Sequence, residues 1–233
     1  MQITAVIPCY NAERHIEEVI TKAQKYVNRV LVVDNMSTDR TAEIACEVNP
    51  GWDFKQCYVR GAGATTALGI AFSLNPLKHL FADIIVTLDS DGQHDPDEIP
   101  FVVQPLIEKK ADLMIGSRFM GDYEIPKYRK FGIDVITAFY NIGKKQQITD
   151  GQSCLRAFTR DVAKNIKITE NGFGFSTEFI IKARAHGYRI MEVPITCIYH
   201  KTHAENSTLN PVRHGLGVAF KTLKWRIKEE LLK

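Results

Sequence analysis

Asp89, Ser90 and Asp91 place two carboxylates on either side of one residue, directly after the apolar run "IIVTL" (84–88). Gln93, His94 and Asp95 come next but one. A buried, unpaired carboxylate is costly, and an exposed acidic loop needs no apolar approach, so the pattern points to positive charge held at a strand end. Oxygen ligands of this kind suit Mg²⁺ or Mn²⁺, with phosphate oxygens completing the shell. Gln93 and Asp95 are candidates for further ligands or for bonds to the ligands. Asp95, standing before Pro96, also reads as a helix cap. The plainer alternative for Asp89 and Asp91 is an acidic turn.

A basic group comes later. Arg118 follows the run "ADLMIGS" (111–117), with Lys127, Arg129 and Lys130 close behind. Arginine grips phosphate with a planar fork of donors. Metal-bound diphosphate on one side and arginines for a second phosphate on the other would make a phosphate-rich site. For 127–130 a solvated helix start is the alternative. The stretch "RGAGATTALG" (60–69) opens a helix through Gly61 and Gly63, which suits close approach of phosphate or simple packing on a sheet. It lacks the third glycine of a dinucleotide fingerprint and the Gly-Lys-Ser/Thr of a P-loop, which disfavours a Rossmann dehydrogenase or a P-loop ATPase. His15, His79, His186 and His214 show no ligand spacing.

Alternating elements must position these groups. Strands are expected at 3–8, 29–34, 53–59, 82–89 and 111–117. Helices are expected at 12–26, where Ile16, Val19, Ile20 and Ala23 keep helical spacing, at 37–48 with Ser37 and Asp39 as N-cap candidates, at 63–74 and at 96–109. This alternation indicates an α/β fold with a largely parallel sheet covered on both faces, which binds ligands at the carboxyl ends of its strands. Pro8 to Asn11, Asp34 with Asn35, Asp89 to Asp91, and Gly116 to Arg118 all fall at such ends. The second half reads as a long helix (125–145), a strand running into a helix start (151–161), a helix (176–188), a strand (189–195) and a terminal helix (211–233). With no repeat, low-complexity tract or linker, a single domain is expected over 1–233.

The 233 residues are 45% hydrophobic and 24% charged, an ordinary globular mix. A net charge of +3 is too small to indicate a nucleic-acid binder. The five cysteines, Cys9, Cys46, Cys57, Cys154 and Cys197, are scattered and form no C-x-x-C pair. That argues against a zinc site or a disulfide framework and for a reducing, cytoplasmic setting. Neither a signal peptide nor a run of about 18 apolar residues is visible, so no spanning helix is expected. The sequon at Asn206 is read as chance.

The ordered set "AVIPCYN", "VVDNMSTDRTAEIA", "RGAGATTALGIA", "LDSDGQHDP", "IGSRF", "DGQSCLRAF" and "FGFSTEFIIKARAHGYRIMEVPI" resembles the family-2 inverting glycosyltransferases, in particular the dolichol-phosphate mannosyltransferase and polyprenyl-phosphate glycosyltransferase group. The resemblance covers roughly 1–215. It implies a GT-A fold, a nucleotide-sugar donor and a divalent metal, Mg²⁺ or Mn²⁺. It implies that Pro8, Tyr10, Asn11 and Asp34 meet the donor base, with Gly63 and Ser90 also at the donor. Asp89, Asp91 and Gln93 then hold the metal, and Arg118 and Arg129 the acceptor phosphate. Asp150 and Glu178 carry the remaining carboxylates, and Lys201, His203 and Ser207 close over the diphosphate. On that division 1–118 serves donor and metal, and 119–210 the acceptor. Departures are Asn35-Met36 for the common Asp-Gly, Arg14 near the usual Asn-Glu, Cys154 for glycine, and "THAENSTLN" where many relatives have Gly-x-Ser-Lys.

The expected reaction is an inverting displacement that moves a hexose from GDP-mannose or a UDP-sugar to a polyprenyl phosphate at the cytosolic face of a membrane. A hydroxyl acceptor would need Glu178 or Asp150 as base. A nucleotide-sugar-binding subunit without turnover is the third reading. In the terminal helix Leu216, Phe220, Leu223, Ile227 and Leu231 face lipid, the protein body or a second copy, with Lys221, Lys224, Arg226 and Lys228 near anionic headgroups. A membrane-anchored partner and a homo-oligomer stay open.

Overall fold

The computed structural model describes residues 1–50, 53–75, 81–121, 127–144, 147–197 and 211–231; at 127–133, 211–216 and 231 it describes the backbone alone. Among the described residues seven strands form one sheet: β1 (Ile3–Cys9), β2 (Arg29–Asp34), β3 (Phe54–Gln56), β4 (Ile84–Thr87), β5 (Leu113–Ser117), β6 (Arg156–Thr159) and β7 (Ile190–Pro194). Their order is β3-β2-β1-β4-β6-β5-β7. The helices are α1 (Ile16–Ala23), α2 (Thr41–Val48), α3 (Ala62–Ser73), α4 (Ile99–Ile107), α5 (Lys127–Asn141), α6 (Arg160–Asn165), α7 (Phe175–Ala185) and α8 (Pro211–Arg226), which runs on as a π-helical turn, Ile227–Leu231.

Strand side chains alternate between two core layers, as a period of two requires. Ala5, Ile7, Val30 and Val32 pack with Ile16 and Ile20 of α1 and Ile99 and Val102 of α4. Val6, Leu31 and Val33 join the layer of Ile70 in α3, Tyr140 in α5, Ile180 in α7 and Trp225 in α8. Full burial of each such aliphatic side chain contributes about 1.5–3 kcal/mol.

β1, β2, β3 and β4 pair in parallel, as do β5 and β7, so the ends of β1, β2, β4 and β5 share one edge. The exception is β6, which lies antiparallel between β4 and β5, with Arg156 opposite both Thr87 and Ile115. Its start therefore lies at that edge and brings the 149–155 segment beside the ends of β4 and β5.

Several helices begin later than their sequence suggests. α2 starts at Thr41 because Ser37 turns to Asp34, while Asp39 accepts the Thr41 N–H at 3.0 Å. Ahead of α4, Pro96–Glu98 is a 3₁₀ turn capped by Asp95, which accepts the Asp97 N–H at 3.1 Å.

α8 buries Val218, Thr222 and Trp225, while Phe220 (70% exposed), Leu223 and Ile227 face outward. Glu170 anchors the inward side, accepting from Trp225 Nε1 at 3.2 Å and pairing with Lys221 and Lys224 at 2.7 and 3.0 Å. Arg226 departs from the headgroup role: it is buried and donates to Glu230 and to the Phe139 carbonyl. The side chains of Leu216 and Leu231 lie outside the described residues. Among the described residues no helix is long and apolar enough to cross a membrane.

Candidate active site

The loops after β1 and β2 are stitched together by their own side chains. Asn11 accepts the Thr38 N–H at 2.8 Å and gives its own N–H to Ser37 Oγ at 2.9 Å. Asp34, buried at the end of β2, accepts from the N–H and hydroxyl of Ser37 and from Gln56 Nε2. Pro8 stands in β1 opposite Val33, and Tyr10 is exposed beyond it. Asn35 is an internal brace, with Nδ2 donating to the carbonyls of Cys57 and Val59 and Oδ1 accepting the Gly61 N–H. Met36 has a φ of 62°, where a side chain costs about 1–2 kcal/mol and a glycine would be at ease.

Asp89 and Asp91 lie beyond β4, with Ser90 buried between them. Asp91 accepts the Gln93 N–H at 3.0 Å. The Asp89 side chain keeps 34% exposure, yet its carboxyl is pushed up to about 7, first by loss of water and then by the charge of Asp91. The charges of Arg118 and Arg156 reach it and pull the other way. His94 is 2% exposed, with Nδ1 3.6 Å from Asp89 Oδ2 and no hydrogen-bond partner on either ring nitrogen. Burial, then the charge of Arg118, pushes His94 down to about 3, so its ring is neutral.

Asp89, crowded by the charge of Asp91 and 3.6 Å from a neutral imidazole without a hydrogen-bond partner, fits a divalent cation, whose charge would return Asp89 to its ionised form. Among the described residues no three His, Cys, Asp or Glu side chains are arranged to hold a metal by themselves. Asp89, Asp91 and Gln93 would leave several positions to substrate oxygens and water, as Mg²⁺ and Mn²⁺ sites do.

Arg118 opens the turn after β5. Its Nε and Nη2 donate to Asp150 Oδ2 and Oδ1 at 2.6 and 2.9 Å, and its N–H adds a third bond at 3.2 Å. Asp150 is 0% exposed and also accepts the N–H groups of Gln152 and Ser153. Burial pushes this carboxyl up, but the charge and hydrogen bonds of Arg118 outweigh it and hold the group below its ordinary value. The loop around it is fixed on several sides. Thr149 Oγ1 meets Ser117 Oγ at 2.6 Å, and Glu192 accepts the N–H groups of Thr149 and Asp150 at 2.7 and 3.0 Å. Arg156, buried, donates Nη2 to the Gly151 carbonyl at 3.0 Å. A Cβ on Gly151 would sit 2.4 Å from the Tyr140 ring, so glycine alone fits.

Two expected site residues have other work. A Cβ on Gly63 would lie 2.0 Å from the Glu170 carbonyl, so this glycine serves the packing of α3 against 170–171. Glu178 is fully buried and accepts from the N–H and hydroxyl of Thr169, the N–H of Glu170 and Lys182 Nζ. Four donors leave it no lone pair for a substrate hydroxyl, which departs from the base role. Arg129 stands in the first turn of α5, with its side chain outside the described residues. Lys201, His203 and Ser207 lie wholly outside them. His94 and Glu192 show no role in the sequence, and Arg156 stands there only within "DGQSCLRAF".

The sequence profile described as Glycosyl transferase family 2 matches residues 4–167. The chain belongs to glycosyl transferase family 2. As a family-2 glycosyltransferase it is 35% identical to an uncharacterized protein of Methanocaldococcus jannaschii, across 97% of this chain and 93% of that one. It is 31% identical to the UDP-N-acetylglucosamine–dolichyl-phosphate N-acetylglucosaminyltransferase of Methanococcus voltae, across 84% of this chain and 86% of that one. Among solved structures it is similar to glucosyl-3-phosphoglycerate synthase of Mycobacterium tuberculosis, crystallised with Mn²⁺, UDP and glucosyl-3-phosphoglycerate. There the TM-score is 0.73 at 17% identity, covering 98% of this chain and 79% of that one. The glycosyltransferase therefore has the GT-A fold, with the β4 carboxylates and Arg118 on one edge of its sheet.

Proposed function

We propose that this glycosyltransferase moves a sugar from a nucleoside-diphosphate sugar to the phosphate of a polyprenyl lipid at a membrane surface. The observation that carries this reading is the Arg118 guanidinium, clamped by buried Asp150 and near enough to Asp89 for its charge to act there. A fixed cation facing a metal-binding carboxylate pair suits two anionic substrates brought together, one on each side. The relative named for a dolichyl-phosphate acceptor and a UDP-sugar donor supports the same acceptor and puts a UDP-sugar first among donors.

In the proposed reaction an acceptor phosphate oxygen attacks the anomeric carbon, the bond from that carbon to the diphosphate oxygen breaks, and the nucleoside diphosphate leaves. Asp89, Asp91 and Gln93 would hold Mg²⁺ or Mn²⁺, which would supply neutralisation of the charge on the departing diphosphate. The phosphate oxygen is already an anion and needs no base. Arg118, and Arg129 at the start of α5, orient it and screen its repulsion from the donor. A hydroxyl acceptor is less well served, because Asp150 and Glu178 are both engaged by protein donors.

The outward face of α8 supports a lipid setting: Phe220, Leu223 and Ile227 are exposed there together with Lys228, while Lys224, also exposed, pairs with Glu170. On this reading the apolar side chains enter the interface and Lys228 meets anionic headgroups. The test is nucleotide release from a panel of UDP- and GDP-sugars with Mn²⁺, with and without a short-chain polyprenyl phosphate. Release from one donor that depends on the acceptor and is lost in Asp91→Ala supports the proposal. Turnover on a saccharide or glycerate acceptor alone overturns it.

A further inference from the structure

Glu192 is the one charged residue in β7, an otherwise apolar strand, and its carboxylate is spent on backbone. Oε2 accepts the Thr149 N–H at 2.7 Å and Oε1 the Asp150 N–H at 3.0 Å. β7 pairs with β5 in parallel, placing Glu192 opposite Ile115, two residues before Ser117 and three before Arg118. The segment thus held carries the Asp150 carboxylate, which receives the Arg118 fork. Three links run in series: the Glu192 carboxylate, the 149–150 backbone and the Asp150 carboxylate under Arg118.

Two carboxylates on either side of one short segment repel each other, a cost that a residue serving only to pack would not incur. What Glu192 supplies is a pair of acceptors matched to two consecutive N–H groups. Glutamine could satisfy one of them and would turn its own NH₂ toward the other.

We propose that Glu192 is a positioning residue for the acceptor anion: it fixes the Asp150 segment, and through it the direction in which the Arg118 guanidinium is offered. This rests on the reading that Arg118 meets the acceptor phosphate. Glu192 touches neither substrate and acts only through Arg118.

The test is steady-state kinetics of the full chain carrying Glu192→Gln, with donor and short-chain polyprenyl phosphate varied in turn. The expected result is an acceptor KM raised about tenfold, with donor KM and Mn²⁺ affinity within about twofold of wild type. In an Arg118→Ala background Glu192→Gln adds nothing further to the acceptor KM. Where the glutamine variant does not fold, Glu192→Asp keeps both oxygens, draws them back by one methylene, and is expected to show the same selective rise. The proposal is overturned if the Glu192 variant weakens donor and acceptor alike, if its effect adds in full to that of Arg118→Ala, or if only Arg118→Ala matters. An Arg118→Ala enzyme with an unchanged acceptor KM would instead remove the reading beneath the proposal.

Discussion

Asp150→Asn keeps the size of the side chain and removes its charge. Five donors converge on the carboxylate: the N–H groups of Arg118, Gln152 and Ser153, and Nε and Nη2 of Arg118. An amide accepts through one oxygen and sets an NH₂ group against the rest. Asp150 is 0% exposed and the Arg118 side chain 11%, so solvent screens the pair little. Removing one partner of such a pair costs about 3–5 kcal/mol. In a chain of this length each kcal/mol moves the melting temperature by about 2–4 °C, so a fall of roughly 6–20 °C is expected near neutral pH. The Asp150 carboxyl is held below its ordinary value, so its contribution is present above the usual carboxylate range and lost as pH falls through its folded pKa. The gap between wild type and variant therefore narrows in acid. Thermal unfolding followed by circular dichroism at neutral and acid pH measures both. A fall below about 2 °C at neutral pH, together with loss of kcat, would make Asp150 a catalytic base and refute its role as a brace.

Three further outcomes are expected. Asp89 is pushed up to about 7, so metal binding must displace its proton: Mn²⁺ affinity by calorimetry should climb about tenfold per pH unit below that value and level off above it, and a flat profile would contradict the crowding of Asp89 and Asp91. Glu178→Gln should lower the melting temperature while kcat of the folded enzyme stays within about twofold; a kcat loss of about a hundredfold at unchanged stability would restore Glu178 as a base. Exchanging exposed Phe220 and Leu223 for serine together should weaken sedimentation with anionic vesicles at least about tenfold and leave stability near wild type, whereas unchanged sedimentation would take the membrane away from this face of α8.

The edge that carries the site was legible because β1, β2, β4 and β5 are each apolar runs that end in polar residues. Strand direction is not written into a four-residue run such as Arg156–Thr159, so the reversal of β6 and the arrival of the 149–155 segment beside Asp89 came only from pairing across the sheet. Asp150 and Glu178 looked like free carboxylates because a motif shows a group without its partners. Arg118 is 32 residues from Asp150, although Lys182, one turn along α7 from Glu178, was a local sign of an ion pair. Glu192 had a signal of its own, a lone acid in "RIMEVPI". The amphipathic pattern of α8 was visible, but which face turns inward was decided by the bulk of Trp225 and the hold of Glu170.

In the proposed reaction the sugar alone moves, onto a phosphate. ³¹P and ¹H NMR of a complete reaction containing the preferred nucleotide sugar, Mn²⁺ and a short-chain polyprenyl phosphate decides this. The expected result is one nucleoside diphosphate released per product, a single phosphorus in the lipid product, and an anomeric configuration inverted from the donor's. Release of a nucleoside monophosphate with two phosphorus atoms in the lipid, or a free sugar formed at the same rate without acceptor, would contradict it.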